Sequence, residues 1–197
     1  MNKKQVENYF KILGRLYPKY CRVILTGAAA GALYGRVRGT LDVDFEARPR
    51  DWKRFAAAVE EASARTGIVA QYAEDIDRWS SITLMDYDKR TYIYKRIGPI
   101  ELCLMEPSYW AIGKLSRYLD SDIQDMTRVF RKTRTRWQVL ASVAGKALRK
   151  SPRSTACFSF RRQVEHFLKH SGRQAWGKGF DSSAAIALFR KSAGIRV

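Results

Sequence analysis

Leu25-Thr-Gly-Ala-Ala-Ala-Gly-Ala-Leu-Tyr-Gly-Arg-Val-Arg-Gly-Thr-Leu-Asp-Val-Asp-Phe-Glu46 decides the reading of this chain, because a glycine turn stands shortly before two carboxylates spaced i and i+2. In a strand, side chains two apart share a face. Asp42 and Asp44 are therefore expected side by side, with Leu41, Val43 and Phe45 packing into a core beneath them. Repulsion between neighbouring carboxylates is relieved by a divalent cation, and Mg²⁺ commonly joins one or two carboxylates to substrate phosphates. The alternative is an Asp-x-Asp that faces water on an edge strand.

The residues before the pair favour the first reading. Arg22 to Leu25 reads as a short buried strand, Thr26-Gly27 as a turn, and Ala28 to Tyr34 as a short helix whose first N–H groups would point at an anion. Gly27 can adopt a positive φ and admits close approach of phosphate oxygens. Gly31, Gly35 and Gly39 interrupt or end the helix, and Arg36 and Arg38 sit in the loop leading to the acidic strand, either holding a triphosphate or solvated.

These residues resemble the nucleotidyltransferase superfamily with its polymerase-β-like fold: a strand, a glycine turn, a short helix, a strand with Asp-x-Asp, and a third carboxylate on a later strand. Gly27-Ala28, Asp42-Val43-Asp44 and Glu101, in Gly98-Pro-Ile-Glu-Leu-Cys-Leu-Met105, fill that pattern. Within the superfamily the chain is most similar to small bacterial nucleotidyltransferases of the AbiEii toxin type, through Ser108-Tyr-Trp-Ala-Ile-Gly-Lys114-Leu115 and Asp120-Ser-Asp122-Ile-Gln-Asp125. The resemblance covers about residues 20 to 130. Ala28 stands where a hydroxyl residue is usual, and Glu101 where Asp is.

The resemblance implies an α/β (α+β) catalytic fold in which Asp42, Asp44 and Glu101 ligate two Mg²⁺ ions. Gly27 and Ala28 would receive the phosphates of a nucleoside triphosphate (NTP), with Arg38 or Lys114 as auxiliary charge. An acceptor hydroxyl would attack the α-phosphate. If the toxin likeness extends to function, that acceptor is RNA, at a tRNA 3′ end, and an antitoxin partner is implied.

Charge divides the chain. The 197 residues carry a net +18, and residues 128–197 hold 17 Lys+Arg against two acids. A nearly neutral catalytic domain over 1–127 and a basic helical region over 128–197 are expected, the second suited to a polyanion such as RNA. Arg131, Lys132, Arg134 and Arg136 form its densest run, and Trp176 beside Lys178 could stack an unpaired base while the cation meets phosphate. Each aromatic taken singly also suits a core.

The apolar content of 46% suffices for a core, and neither a membrane span nor a signal core stands out, so a cytoplasmic protein is expected. Cys21, Cys103 and Cys157 are scattered and odd in number, which favours thiols over a disulfide framework. His166 and His170 share a helical face without a third ligand nearby.

Along the chain, Val6, Tyr9, Phe10, Leu13 and Leu16 recur at helical spacing up to Pro18, and Trp52, Phe55, Ala56, Val59 and Ala62 do so up to Gly67. Ile68 to Tyr72 reads as a strand, and Ser81 to Met85 and Thr91 to Ile97 as a hairpin turning at Asp86 to Arg90. Gly98-Pro99 introduces the strand of Glu101. Helices are expected from Pro107, over 122–130, up to Ser151-Pro152, over 154–171 and over 182–189, with a glycine-rich loop over 172–181. Lys114, on the first of these, meets either nucleotide phosphates, solvent or acids such as Asp122.

Other functions stay open: a nucleic-acid-binding protein on this fold without the chemistry, or a drug-modifying nucleotidyltransferase, which would need an acidic pocket. An Asp-x-Asp glycosyltransferase fits poorly, since only 41 residues precede Asp42.

Overall fold

The computed structural model describes residues 1–35, 41–79, 81–84 and 86–195, apart from the side chains of 78 and 79. It is an α+β fold. The chain divides into two compact units: Met1–Ile76 with Thr91–Met105, and Asp77–Arg90 with Glu106–Val197.

The first unit is built on a mixed sheet of five strands: β1 (Cys21–Leu25), β2 (Asp42–Pro49), β3 (Val69–Ala73), β4 (Thr91–Ile97) and β5 (Ile100–Met105). Their order is β3-β2-β1-β5-β4. β1 runs antiparallel to β2 and parallel to β5, β2 is parallel to β3, and β4 and β5 form a hairpin through Gly98-Pro99. Alternation fills one face with Val23, Leu25, Val43, Phe45, Leu102 and Leu104, none more than 1% exposed. Helices α1 (Lys3–Leu16) and α3 (Trp52–Thr66) supply Phe10 and Phe55, which meet Phe45 edge-on. Tyr72 of β3 stacks on both Phe45 and Trp52. Asn2 and Gln5 form a capping box that starts α1, Asp51 caps α3, and Gly67 in the left-handed region ends it.

Helix α2 (Gly27–Tyr34) joins β1 to β2 and is apolar nearly throughout, which suits its burial. Its last residue, Tyr34, donates its hydroxyl to the carbonyl of Met105 at 2.5 Å, and burial pushes that phenol's pKa well above its ordinary value.

The second unit is helical: α4 (Pro107–Arg117), α5 (Asp120–Thr133), α6 (Trp137–Lys150), α7 (Thr155–His170), α8 (Gly172–Trp176) and α9 (Ser182–Ala193). Its core includes Trp110, Leu115, Met126, Phe130, Phe160, Phe167 and Phe189. α6 and α9 approach so closely that a Cβ on Gly145 would lie 2.6 Å from the Phe189 carbonyl oxygen.

Four expectations are corrected. The 127/128 boundary falls inside α5, because charge density describes a surface and not a packing limit. No strand forms over residues 81–84: the Thr83 N–H goes to Ser151 Oγ at 2.8 Å and the Leu84 N–H to the Asp77 carboxylate, so this backbone bonds side chains in place of a neighbouring strand. Met85 lies outside the described residues. Leu41 is not under the acidic strand but 86% exposed ahead of it. The loop expected over 172–181 opens with α8.

Cys21 and Cys103 are buried, Cys157 is half-buried, and none of the three forms a disulfide. Burial pushes the Cys21 thiol up to about 11. Among the described residues, no helix is long and apolar enough to cross a membrane.

Candidate active site

The site begins where β1 ends. The register pairs Leu25 with Phe45, and one step further the Thr26 N–H donates to the Asp44 carbonyl at 2.9 Å. Gly27 follows with φ +60, in the region L-residues avoid. A Cβ built there would collide with Asp44 Oδ2 and lie 3.0 Å from its Cγ, so the Asp44 carboxylate lies directly against the first residue of α2. Glycine is required twice over, by conformation and by contact. The partial positive charge of a helix N-terminus favours an anion at this place.

Asp42 and Asp44 project from the same face of β2, both half-buried, while Val43 and Phe45 are buried opposite. Thr26 lies opposite Asp44 and occupies the N-cap of α2, yet its hydroxyl makes no capping hydrogen bond. That hydroxyl is a feature the sequence pattern passed over. A threonine immediately before a glycine turn is the available sign; Ala28, the next residue but one, is 8% exposed.

Glu101 is not with this pair. It lies opposite Arg22 on β1, four residues back from Thr26, which is roughly 13 Å along the strands, with two strand spacings between β2 and β5 to add. Glu101 Oε1 accepts the Tyr20 hydroxyl at 3.1 Å, and Oε2 accepts Arg96 Nε and Nη2 at 3.3 and 3.1 Å. The expectation that it completes the metal site is corrected: period-2 alternation gives it the right face but not the right level. Level with Thr26 on β5 stands Met105.

Glu46, the next acid on the face of Asp42 and Asp44, is 1% exposed and is held by Arg48 at 2.7 Å and by the Ile76 N–H at 3.3 Å. Among the described residues, no group of three or more His, Cys, Asp and Glu side chains is arranged to hold a metal. Arg38 lies outside the described residues.

Lys114 belongs to a buried ionic network in the second unit. Only 3% exposed, its Nζ donates to Asp122 Oδ1 at 2.8 Å and Asp125 Oδ2 at 2.9 Å, and it lies 5.5 Å from the centre of the Trp110 ring. Arg117 forks onto Asp122 at 2.8 and 2.7 Å. Burial pushes the Asp122 carboxyl up, but the Arg117 and Lys114 bonds and charges outweigh it and hold the group below its ordinary value. A nucleotide phosphate would have to displace two carboxylates to reach Lys114, so of the three readings open in the sequence this is the pairing with acids.

Arg131, Lys132, Arg134 and Arg136 are all exposed, through the end of α5 and the turn to α6, and Lys178 is exposed in the turn after α8. Trp176 departs from expectation. It stacks on Phe130 and Phe180 with centroids 5.4 and 5.0 Å away, meets Phe167 edge-on and donates its indole N–H to the Thr135 carbonyl at 2.7 Å. Its ring serves the core of the second unit and does not suit base stacking.

Set against models of known families, curated proteins and solved structures, the chain matches none.

Proposed function

We propose that the protein is a divalent-cation-dependent nucleotidyltransferase of the polymerase-β-like type, moving a nucleoside monophosphate from an NTP to a hydroxyl of RNA. The observation that carries this reading is the apposition of Gly27 and Asp44. A left-handed glycine and a helix N-terminus bring phosphate-compatible backbone against one member of an Asp-x-Asp pair. The antiparallel return from β1 through α2 to β2 agrees with the resemblance in the sequence.

Two hard carboxylates on one face fit Mg²⁺, which keeps several waters and takes its remaining ligands from substrate phosphates. Asp42 and Asp44 would hold it; Glu101 would not. When bound, the ion would neutralise phosphate charge and acidify the attacking hydroxyl. The chain's own contributions are the N–H groups at the start of α2, which orient the departing phosphates, and the Thr26 hydroxyl, which makes no capping hydrogen bond and stands on a residue opposite Asp44.

RNA as acceptor rests on the excess of 17 basic over two acidic residues in 128–197. A toxin role with an antitoxin partner rests on the likeness to AbiEii-type proteins alone. Incubation with each α-labelled NTP and total RNA tests the chemistry: wild type should transfer label and Asp44→Ala should not. Equal transfer by the two would refute the assignment. RNA binding without transfer by either would favour the non-catalytic reading, to which the distant Glu101 lends some weight.

A further inference from the structure

The second unit contains a cleft of about 410 Å³ between α5 and α8. Gln124, Arg128 and Arg131 line one wall, and Arg173 and Gln174 the other. The first three recur at i, i+4 and i+7, one helix face over roughly 10 Å. No carboxylate lines the cleft. Three other arginines of the unit are paired internally: Arg117 on Asp122, Arg161 and Arg190 on Glu165. Arg128, Arg131 and Arg173 are exposed and engage in no ion pair or side-chain hydrogen bond among the described residues.

We infer that this cleft is a binding site for consecutive phosphate groups. Three guanidinium groups facing one space repel each other, and that cost is offset by a ligand of matching negative charge. Their planar forks take phosphate oxygens two at a time, and the glutamine amides add neutral donors that also meet phosphate oxygens. The ligand is an oligophosphate, carried either by an RNA strand or as a free chain. The site does not depend on nucleotidyl transfer, since none of its residues lies in the unit that carries Asp42 and Asp44. Of its arginines only Arg131 belongs to the run that the sequence singles out. Arg128 is isolated by Val129 and Phe130, and Arg173 is 42 positions away from Arg131.

The test compares the 197-residue wild type, the cleft variant Arg128→Gln/Arg131→Gln/Arg173→Gln, and a control, Arg149→Gln/Lys150→Gln/Arg153→Gln, that loses the same charge from the same unit outside the cleft. Each is titrated with labelled single-stranded oligoribonucleotide and with inorganic tripolyphosphate across a salt series. All six positions are exposed, and retained melting temperature verifies folding. The cleft variant should bind RNA at least about tenfold more weakly, with a log–log salt slope reduced by about 2, at about 0.7 for each phosphate no longer neutralised. The control should stay within about threefold on the same principle. Displacement of RNA by tripolyphosphate identifies phosphate groups alone as the ligand; RNA binding without displacement assigns the site to the strand. Equal losses in the two variants, no binding of either compound, or equal binding of a polyglutamate peptide would each overturn the inference. Asp42→Ala/Asp44→Ala should bind both compounds as the wild type does, whatever becomes of transfer.

Discussion

The chain holds two close pairs of aspartates that solve one electrostatic problem differently. Asp122 and Asp125 are spaced i and i+3 on a helix, fully buried, with Lys114 between them and Arg117 on one side. Asp42 and Asp44 are spaced i and i+2 on a strand, half-buried, with a glycine and a helix N-terminus against one of them. In the first pair, cations from the same unit fill the space a ligand would need. In the second, the adjoining backbone is of the kind that accepts phosphate. A carboxylate pair is a candidate site because of what surrounds it, and spacing alone ranks the two pairs equally.

The contrast is broken most severely at Lys114. Lys114→Met removes the cation from a buried network and should destabilise the protein by about 3–5 kcal/mol, the usual cost of leaving a buried charge uncompensated. Urea unfolding at neutral pH would measure it. A loss under about 1 kcal/mol would mean that the network is not what holds α4 to α5.

At the other pair the sensitive position is Gly27. Gly27→Ala places a Cβ in the left-handed region and against the Asp44 carboxylate, so a loss of about 1–3 kcal/mol is expected. Transfer activity should fall further than stability does, because Asp44 must move. Wild-type activity in this variant would separate Asp44 from catalysis.

Acid sharpens the comparison. The folded Asp122 carboxyl titrates below its ordinary value of 3.8, so its contribution is complete above that pH and is lost as the pH falls through the folded pKa. Glu165, held low by Arg190 and Arg161, behaves alike from its ordinary 4.5. Stability should therefore decline through and below this range. An Asp122→Asn variant, less stable at neutral pH, should show a shallower decline; an equally steep one would place the acid-labile groups elsewhere.

Glu101→Gln should have the smallest effect. It loosens an ion pair with the largely exposed Arg96, worth about 0–1 kcal/mol, and should leave transfer near the wild-type rate. Loss of transfer would show that Glu101 acts from a distance the strand register does not explain.

Much of this fold was legible in the pattern of residues. The apolar spacing from Val6 to Leu13 and from Phe55 to Ala62 marked α1 and α3, and glycine punctuation marked the passage through α2 to the acidic strand. Faces could be read because strand alternation is a local property. Register is not: nothing near Glu101 specifies that it pairs with Arg22, since this follows from how β5 aligns along the whole of β1. Trp176 and Lys114 were ambiguous for a related reason. An indole beside Lys178 reads alike whether it stacks on a base or on Phe130, and the partners of Lys114 lie 8 and 11 residues further on, across a turn. The cleft arginines were hidden by their separation in the chain.

The order in which the chain visits its two units has a consequence for handling the protein. It leaves the sheet unit after Ile76, returns at Thr91 and leaves again after Met105, so residues 77–90 belong with helices that begin at Glu106. Neither unit is a contiguous stretch. Scission after Met105 would strand that excursion on the wrong fragment and deprive Thr83 of Ser151 and Arg90 of Glu106. Terminal truncation therefore cannot deliver either unit intact; isolating one requires excising residues 77–90 and rejoining the ends, or supplying them to the helical unit as a separate peptide.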